Sequence, residues 1–282
     1  MPLARLNGIS INYHAEGRGD PLVMIMGYSA GRLGWLPQIS FFKKYYRVVT
    51  FDNRGVGRSH KPPGAYSTRM MADDAVRLMD MLRIEKAHVV GLSMGGMIAQ
   101  ELAINYPQRV MKLVLACTYA SQDVTSGDTV EYAGLWQLAP EKKVRAMISL
   151  AFNNPLYRCT FGLLVRMQAR FVTASGSAGM EGQSEACRQH NTLERLPLIA
   201  APTLVIAGTG DRLIKPVCSE VLARRIPNAR LVRVEGGAHY LSLENRKVFN
   251  REVLSFLKSE APRTHGPDDS RTVRLPRRLT DT

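Results

Sequence analysis

One serine of the chain stands in a setting that could make it a nucleophile. The pentapeptide Gly91-Leu92-Ser93-Met94-Gly95 fits the pattern G-x-S-x-G, and an apolar β-type run ends where a helical pattern begins. A serine on such a strand-to-helix turn projects its hydroxyl outward, and the helix N-terminus behind it favours negative charge. We therefore predict that Ser93 is a nucleophile. The competing interpretation is a serine that only caps the helix.

A nucleophilic serine needs a base, and the base needs a carboxylate that fixes its tautomer. Asp211 follows a β-type run through a glycine-containing turn, and His239 follows the next such run in the same way. Alone, the aspartate could cap a helix and the histidine could be a buried structural residue. Their chain order behind Ser93 is one that known triads use, so we predict a Ser93–Asp211–His239 triad. Asp123 is the alternative acid, but it lies well past the end of its strand.

The same chemistry needs two donors that hold an oxyanion. Met94 offers the backbone N–H directly after the serine, and Tyr28 offers the N–H of a turn that follows an early strand at Gly27. We predict that these two N–H groups form the hole. Without the triad, an ordinary strand-end turn would be the simpler interpretation of residues 26–31.

The elements that must position these residues alternate between β-type and helical patterns, which predicts an α/β protein on a largely parallel sheet. Several β-type runs are apolar throughout, as expected for strands buried on both faces. The predicted strands are 9–13, 22–26, 47–51, 88–90, 110–116, 204–207 and 231–234, and the predicted helices are 68–83, 94–106, 214–226 and 246–259.

The alternation breaks between residues 120 and 197, where we predict an all-helical insertion between two strands. A helix is expected to begin at Pro140, because apolar residues then recur at helical spacing, and a second helical stretch follows Pro155. The glycine- and serine-rich run 175–182 predicts a flexible loop. Residues 261–282 lack periodicity, which predicts a disordered basic tail.

Composition excludes several classes of protein. Of the 282 residues, 45% are hydrophobic and 22% are charged, which is typical of a globular chain, and no apolar run reaches the length of a membrane span. The formal net charge is +14, but no nucleic-acid module signature appears, so we interpret it as a solvated basic surface. The four cysteines and six histidines show no metal-site spacing, so neither metal nor cofactor is expected. Without a secretory signal pattern, a cytoplasmic location is predicted.

Over nearly all of residues 3–260 the sequence resembles α/β-hydrolase-fold proteins, most closely the serine esterase, enol-lactonase and cofactor-free haloperoxidase-like branch. The segments that carry the resemblance are Phe51–Ser59 (FDNRGVGRS), Gly91–Gly96 (GLSMGG), Ala201–Val205 (APTLV), Gly210-Asp211 and Gly237–His239 (GAH). One departure is Met26 before Gly27, where the family often has histidine. We interpret the 52–59 loop as a structural turn, because its glycines suit tight turns.

The resemblance implies a mostly parallel eight-stranded sheet flanked by helices. It also implies a core of residues 1–119 and 198–260 and a helical cap of residues 120–197 over the pocket. It assigns Ser93 as nucleophile, Asp211 as triad acid and His239 as base. A serine at this position argues against haloalkane dehalogenase and epoxide hydrolase chemistry, which proceeds through an aspartyl ester.

We therefore predict a cofactor-free serine hydrolase that cleaves a small to medium carboxylic ester or lactone, with no nucleic-acid or membrane partner. Tyr28, His190 and Tyr240 are the candidate substrate contacts, and Arg166 is a further possible one, but for His190 and Arg166 we favour a solvent-facing position. Two alternatives stay open. One is hydrolysis of a C–C bond in a ring-cleavage product by the same three residues, and the other is a receptor that keeps the triad but mainly binds a ligand.

Overall fold

A computed structural model describes residues 2–6, 8–122, 134–135, 137–160, 163, 174–260 and 270–274. Within these residues, nine strands form one sheet. They are β1 (Leu3–Leu6), β2 (Ile9–Glu16), β3 (Pro21–Ile25), β4 (Arg47–Phe51), β5 (Ala87–Leu92), β6 (Val110–Ala116), β7 (Thr203–Gly208), β8 (Ala229–Val234) and β9 (Ser270–Val273). The predicted α/β class is confirmed, and every strand predicted from the sequence is present.

The order of strands across the sheet is β1-β2-β4-β3-β5-β6-β7-β8-β9. The β1–β2 and β2–β4 pairs are antiparallel, and all other neighbouring pairs are parallel. The carboxyl ends of β3 and β5 to β8 therefore lie along one edge of the sheet. In open α/β sheets this edge is where ligands bind.

Helices cover both faces of the sheet. They are α1 (Leu36–Phe42), α2 (Thr68–Met81), α3 (Met94–Asn105), α4 (Pro140–Ala151), α5 (Ala174–Gln189), α6 (Pro216–Arg225), α7 (Leu241–Glu244) and α8 (Arg246–Lys258). Alternate residues of β3 point to opposite sides: Val23 joins the core under α2, α3 and α6, and Met24 joins the core under α1 and α8. Burial on both faces explains why the strands are apolar throughout. Among the described residues, no helix is long and apolar enough to cross a membrane.

The described part of the segment between β6 and β7 is largely helical. The helix predicted at Pro140 is confirmed as α4, and residues 155–160 are helical as expected. Asp123, Arg166 and the later part of the second helical stretch lie outside the described residues. The division of the chain into a core and a cap remains a prediction.

The prediction of a flexible loop over 175–182 is wrong, because these residues belong to α5. Two of the three glycines serve close packing. A side chain on Gly182 would lie 2.9 Å from the Gly64 carbonyl oxygen, and one on Gly179 would collide with the backbone of Gly55. Glycine lowers helix propensity, but tertiary contacts override propensity when the helix is seated this closely on its neighbour.

The expectation of eight strands and a tail without regular structure is also corrected. Residues Ser270–Val273 form β9, which pairs in parallel with β8. Arg271 of this strand forms an ion pair with the buried Glu252 of α8. The strand satisfies backbone groups of β8 that would otherwise form an open sheet edge. Four residues are too few for a clear β pattern, and this is why sequence analysis missed them.

Candidate active site

Ser93 lies on a strained turn between β5 and α3. Its backbone has φ 57° and ψ −123°, a left-handed conformation that non-glycine residues rarely adopt. Its N–H donates to the Ala116 carbonyl at 2.9 Å, and its own carbonyl accepts the Thr118 hydroxyl at 2.8 Å. Such a backbone costs about 1–3 kcal/mol and persists only where its surroundings hold it. The residues on either side are buried, whereas Ser93 is partly exposed.

The two glycines of the G-x-S-x-G motif are required by close packing. A side chain on Gly91 would meet the backbone of Gly95, the second residue of α3, and a side chain on Gly95 would meet the carbonyl oxygen of Ile25 at the end of β3. Both contacts would be far closer than van der Waals distance. The motif therefore lets α3 start directly against β3, with Ser93 at the junction.

Asp211 and His239 form a buried pair after β7 and β8. The His239 Nδ1 lies 2.8 Å from the Asp211 Oδ2, and both side chains are almost fully enclosed. The second carboxylate oxygen of Asp211 accepts the backbone N–H groups of Leu213 at 2.9 Å and Ile214 at 2.8 Å. These contacts fix the carboxylate. Because Nδ1 is committed to Asp211, Nε2 is the nitrogen that could take a proton from a hydroxyl.

The structure thus brings Asp211 and His239 into contact and places Ser93 at the same edge of the sheet, two strands away from β7. Within the described part of the chain, the Ser93 hydroxyl and the His239 ring are not joined by a hydrogen bond. Catalytic hydrogen bonds are often long in a free enzyme and shorten when substrate binds.

Sequence reasoning missed Cys117, the first residue after β6. Its thiol sulfur, an Asp211 oxygen and a His239 nitrogen lie within 4.8 Å of one another, and the thiol is within reach of a hydrogen bond to the carboxylate. Burial, followed by the negative charge of Asp211, raises the pKa of the Cys117 thiol well above its ordinary value. The thiol therefore stays protonated, which suits a donor to Asp211 better than a metal ligand. The signal in the sequence was its place directly after β6, the strand that lies between β5, which precedes Ser93, and β7, which precedes Asp211.

The 27–31 loop, which follows β3, lies directly against Ser93. A side chain on Gly27 would come within 3.1 Å of the Ser93 Cβ and 3.7 Å of its hydroxyl oxygen, so the loop passes close beside the serine side chain. Met94 opens α3, and its N–H is one of the first helical donors, which have no acceptor within the helix. Both predicted oxyanion donors are therefore carried by segments that border Ser93.

The 52–59 loop braces the 27–31 loop from the core. The Asp52 carboxylate accepts the Arg32 N–H at 2.7 Å and the Asn12 side chain at 2.7 Å, and the Asn53 amide donates to the Met26 carbonyl at 2.9 Å. These buried contacts support the interpretation of this loop as structural.

The three candidate substrate contacts have different surroundings. The Tyr28 hydroxyl accepts a hydrogen bond from Ser184 of α5 at 3.1 Å, and burial raises the pKa of Tyr28 to about 12. Tyr240 stacks on Phe152 with ring centroids 5.1 Å apart and meets His239 edge to face. Both tyrosines border the catalytic residues, so their proposed role stays a prediction with structural support.

His190 has a packing role. Its Nδ1 lies 2.9 Å from the Thr68 hydroxyl at the start of α2, and its Nε2 lies 3.4 Å from the Thr192 hydroxyl. Burial, helped by the charge of Arg195, lowers the pKa of His190 to about 3. The solvent-facing alternative is wrong because the residue is 3% exposed. Since both ring nitrogens are engaged by threonines, a substrate contact has little support.

Comparisons with known proteins agree with this fold. The family described as alpha/beta hydrolase fold matches residues 20–246 of this chain. A relative from Azorhizobium caulinodans, named "Putative carbamate hydrolase RutD", is 32% identical over 259 residues, which cover 91% of this chain and 98% of the relative. The solved structure of Est816, described as an N-acyl homoserine lactone degrading enzyme, is 30% identical with a TM-score of 0.80, covering 90% of this chain and 100% of Est816. The enol-lactonase from Burkholderia xenovorans LB400 is 26% identical with a TM-score of 0.79, covering 92% of this chain and 100% of the lactonase.

Proposed function

Since this chain belongs to the alpha/beta hydrolase fold family, we propose that it is a serine hydrolase that cleaves small to medium carboxylic esters or lactones through an acyl-enzyme on Ser93. The observation that carries the proposal is the buried Asp211–His239 pair, placed at the same sheet edge as a strained, partly exposed Ser93. Nδ1 faces the carboxylate, so Nε2 is the nitrogen for the base.

In the first half of the reaction His239 Nε2 removes the proton of the Ser93 hydroxyl, and the oxygen attacks the substrate carbonyl carbon. The N–H groups of Tyr28 and Met94 stabilise the negative oxygen of the tetrahedral intermediate. By analogy with measured cases, each such donor contributes about 3–4 kcal/mol. The imidazolium of His239, stabilised by Asp211, then gives its proton to the leaving alkoxide.

In the second half a water molecule replaces the alcohol. His239 removes a proton from this water, the resulting hydroxide attacks the acyl carbon, and Ser93 recovers its proton as the carboxylic acid leaves. A lactone follows the same steps, except that the alcohol formed in the first half remains attached to the acyl chain. Nothing in these steps requires a cofactor.

Esters and lactones are proposed as substrates because two neighbours of similar fold act on lactones according to their descriptions. A carbamate is the second candidate, since the relative from Azorhizobium caulinodans carries the name of a carbamate hydrolase. A carbamate carbonyl is less electrophilic than an ester carbonyl, but the same nucleophile, base and oxyanion donors would serve it.

The proposal is tested with a panel of p-nitrophenyl esters of increasing acyl length, acyl homoserine lactones, a p-nitrophenyl carbamate and a vinylogous diketone. We expect the highest kcat/KM on esters or lactones and loss of that activity in Ser93→Ala. Ser149→Ala, which alters an exposed serine of α4, is the matched control and should keep it. Turnover confined to the diketone, or unchanged ester turnover in Ser93→Ala, would contradict the proposal.

A further inference from the structure

Gln183 of α5 is a fully buried polar residue whose side chain forms hydrogen bonds with two loops that follow strands of the sheet. Its Oε1 accepts the N–H of Ser29 at 2.9 Å, and its Nε2 donates to the carbonyl of Arg54 at 2.7 Å. Both partners lie more than 120 residues earlier in the chain. The amide therefore joins the 27–31 loop to the 52–59 loop, and it does so from the segment inserted between β6 and β7.

The Ser29 end of this bridge is strained. Ser29 has φ 57°, one of four positive φ values at non-glycine residues in the described chain. A conformation of this kind costs about 1–3 kcal/mol and needs external contacts to hold it. The N–H that Gln183 binds belongs to the peptide directly after Tyr28. Its hydrogen bond thus fixes the peptide plane next to the Tyr28 N–H, the proposed oxyanion donor.

The Arg54 end is rigid. The Arg54 guanidinium makes two hydrogen bonds of 2.6 Å to the carboxylate of Asp74 on α2, and both side chains are largely buried. One turn before Gln183, Gly179 lies directly against the backbone of Gly55. The position of Gln183 relative to the sheet is therefore set by two independent contacts, and the residue can transmit that position to Ser29.

We propose that Gln183 is a positioning residue that orients the 27–31 loop, so that the oxyanion hole is complete only while α5 is seated on the sheet domain. The proposal rests on the proposed function, specifically on the Tyr28 N–H as an oxyanion donor. A covering helix and a catalytic loop are thereby coupled through one amide. Any movement that lifts α5 from Gly55 would also release Ser29.

In the direct test, Gln183→Met removes both hydrogen bonds and keeps a side chain of similar volume. With a short p-nitrophenyl ester we expect kcat to fall about 10–100-fold while KM changes less than threefold, because an oxyanion donor acts in the transition state; loss of a whole donor costs about 10²–10³-fold. Inhibition by an aryl trifluoromethyl ketone, whose hemiketal anion with the Ser93 hydroxyl mimics the tetrahedral intermediate, should weaken by the same factor. Gln189→Met, at the exposed end of the same helix, is the control and should behave as wild type.

A second variant separates orientation from general stability. In Gln183→Glu the carboxylate can accept from Ser29 but cannot donate to the Arg54 carbonyl, whereas its protonated form can do both. The ratio of kcat in this variant to kcat in wild type should therefore rise as the pH falls. A flat ratio would overturn the proposal, and the Glu variant alone decides if the Met variant does not fold.

The outcomes also separate this inference from the proposed function. Wild-type protein that turns over esters, together with a Gln183→Met variant of unchanged kcat and unchanged ketone affinity, overturns the role of Gln183 and leaves the serine hydrolase intact. A folded wild type without ester, lactone or carbamate turnover overturns the proposed function instead.

Discussion

The two halves of the candidate site are held in different ways. The acid–base half, Asp211 with His239, lies on loops after β7 and β8, and the Asp211 carboxylate is fixed by backbone N–H groups only two and three residues further on. The oxyanion half, the 27–31 loop with the Met94 N–H, is braced by Asp52 and Asn53 from one side and by Gln183 of the inserted segment from the other.

The difference shows which half depends on the packing of α5. The hydrogen bonds that fix the Asp211 carboxylate come from Leu213 and Ile214 and involve no residue of α5. The oxyanion half includes a strained Ser29 whose N–H is bound by the inserted helix. A change in the packing of α5 would therefore alter the pocket and the oxyanion donors together, whereas the local hydrogen bonds of the Asp211 carboxylate would remain.

Breaking the acid–base half should give the largest effect. Asp211→Asn keeps the size of the side chain but removes the charge that stabilises the imidazolium of His239, and by analogy with a serine protease kcat should fall up to about 10⁴-fold. The measurement is ester turnover at saturating substrate, with folding checked by circular dichroism. Asp123→Asn is the matched control; if it is the crippled variant while Asp211→Asn stays near wild type, the acid has been assigned wrongly.

Disturbing the close contact between α3 and β3 should affect the stability of the fold itself. In Gly95→Ala the new Cβ would collide with the Ile25 carbonyl, so we expect the free energy of unfolding to fall by roughly 1–3 kcal/mol or more. Urea unfolding measures it. Gly134→Ala, at a described glycine with open space around it, should be close to neutral. Equal stability of the two variants would speak against the close contact of α3 with β3.

Weakening the contact between α5 and Gly55 should have a smaller effect, mainly on kcat. Gly179→Ala pushes the helix away from Gly55, so kcat should fall about tenfold with little change in the labelling of Ser93 at saturating probe. Stopped-flow or steady-state ester hydrolysis measures the change. Bulky and acetyl esters should suffer alike, because the oxyanion half is disturbed for both. A loss confined to bulky esters would mean that α5 only shapes the pocket.

The burial of His190 against Thr68 of α2 should make the stability of the protein depend on pH. The pKa of His190 is about 3 in the folded protein, below the value near 6.5 of an unfolded chain. The unfolded state takes up the proton first, so stability falls as the pH drops below about 6.5, by roughly 1.4 kcal/mol per pH unit for one histidine. His88, with a pKa lowered by burial to about 4, contributes over the same range.

His190→Gln should therefore make the decline in the free energy of unfolding between pH 6.5 and pH 4 markedly shallower, although the variant starts from a lower stability at pH 7. Urea titrations at several pH values check this. His60→Gln, which removes an exposed ring, should leave the slope unchanged. A slope in His190→Gln equal to that of wild type would show that the folded protein can charge His190.

The acid–base half and the serine turn were accessible from sequence because each depends on local patterns. Gly91 and Gly95 flank Ser93 at fixed spacing, and Asp211 and His239 each follow a strand that reads clearly as β. Parallel pairing then carries three distant segments to one edge. Local residue patterns, with the rule that the carboxyl ends of parallel strands meet at one edge of a sheet, were sufficient to select these residues.

What sequence analysis missed depends on contacts between distant segments. A run that contains Gly179 and Gly182 predicts a flexible loop, and only their packing against Gly55 and Gly64 shows why glycine stands at these helical positions. The strand β9 exists because β8 offers an edge, and Cys117 matters because β6 lies between β5 and β7. The contacts of Gln183 arise only from the packing of α5, and no spacing rule links residue 183 to residue 29.

The most direct test of the central claim is covalent labelling with a fluorophosphonate, followed by mass spectrometry of the tryptic peptide that runs from Ala87 to Arg109. We expect a single stoichiometric adduct on Ser93, no adduct on this peptide in Ser93→Ala, and much slower labelling in His239→Ala. An adduct on another serine, or no adduct on a folded protein that hydrolyses esters, would contradict it.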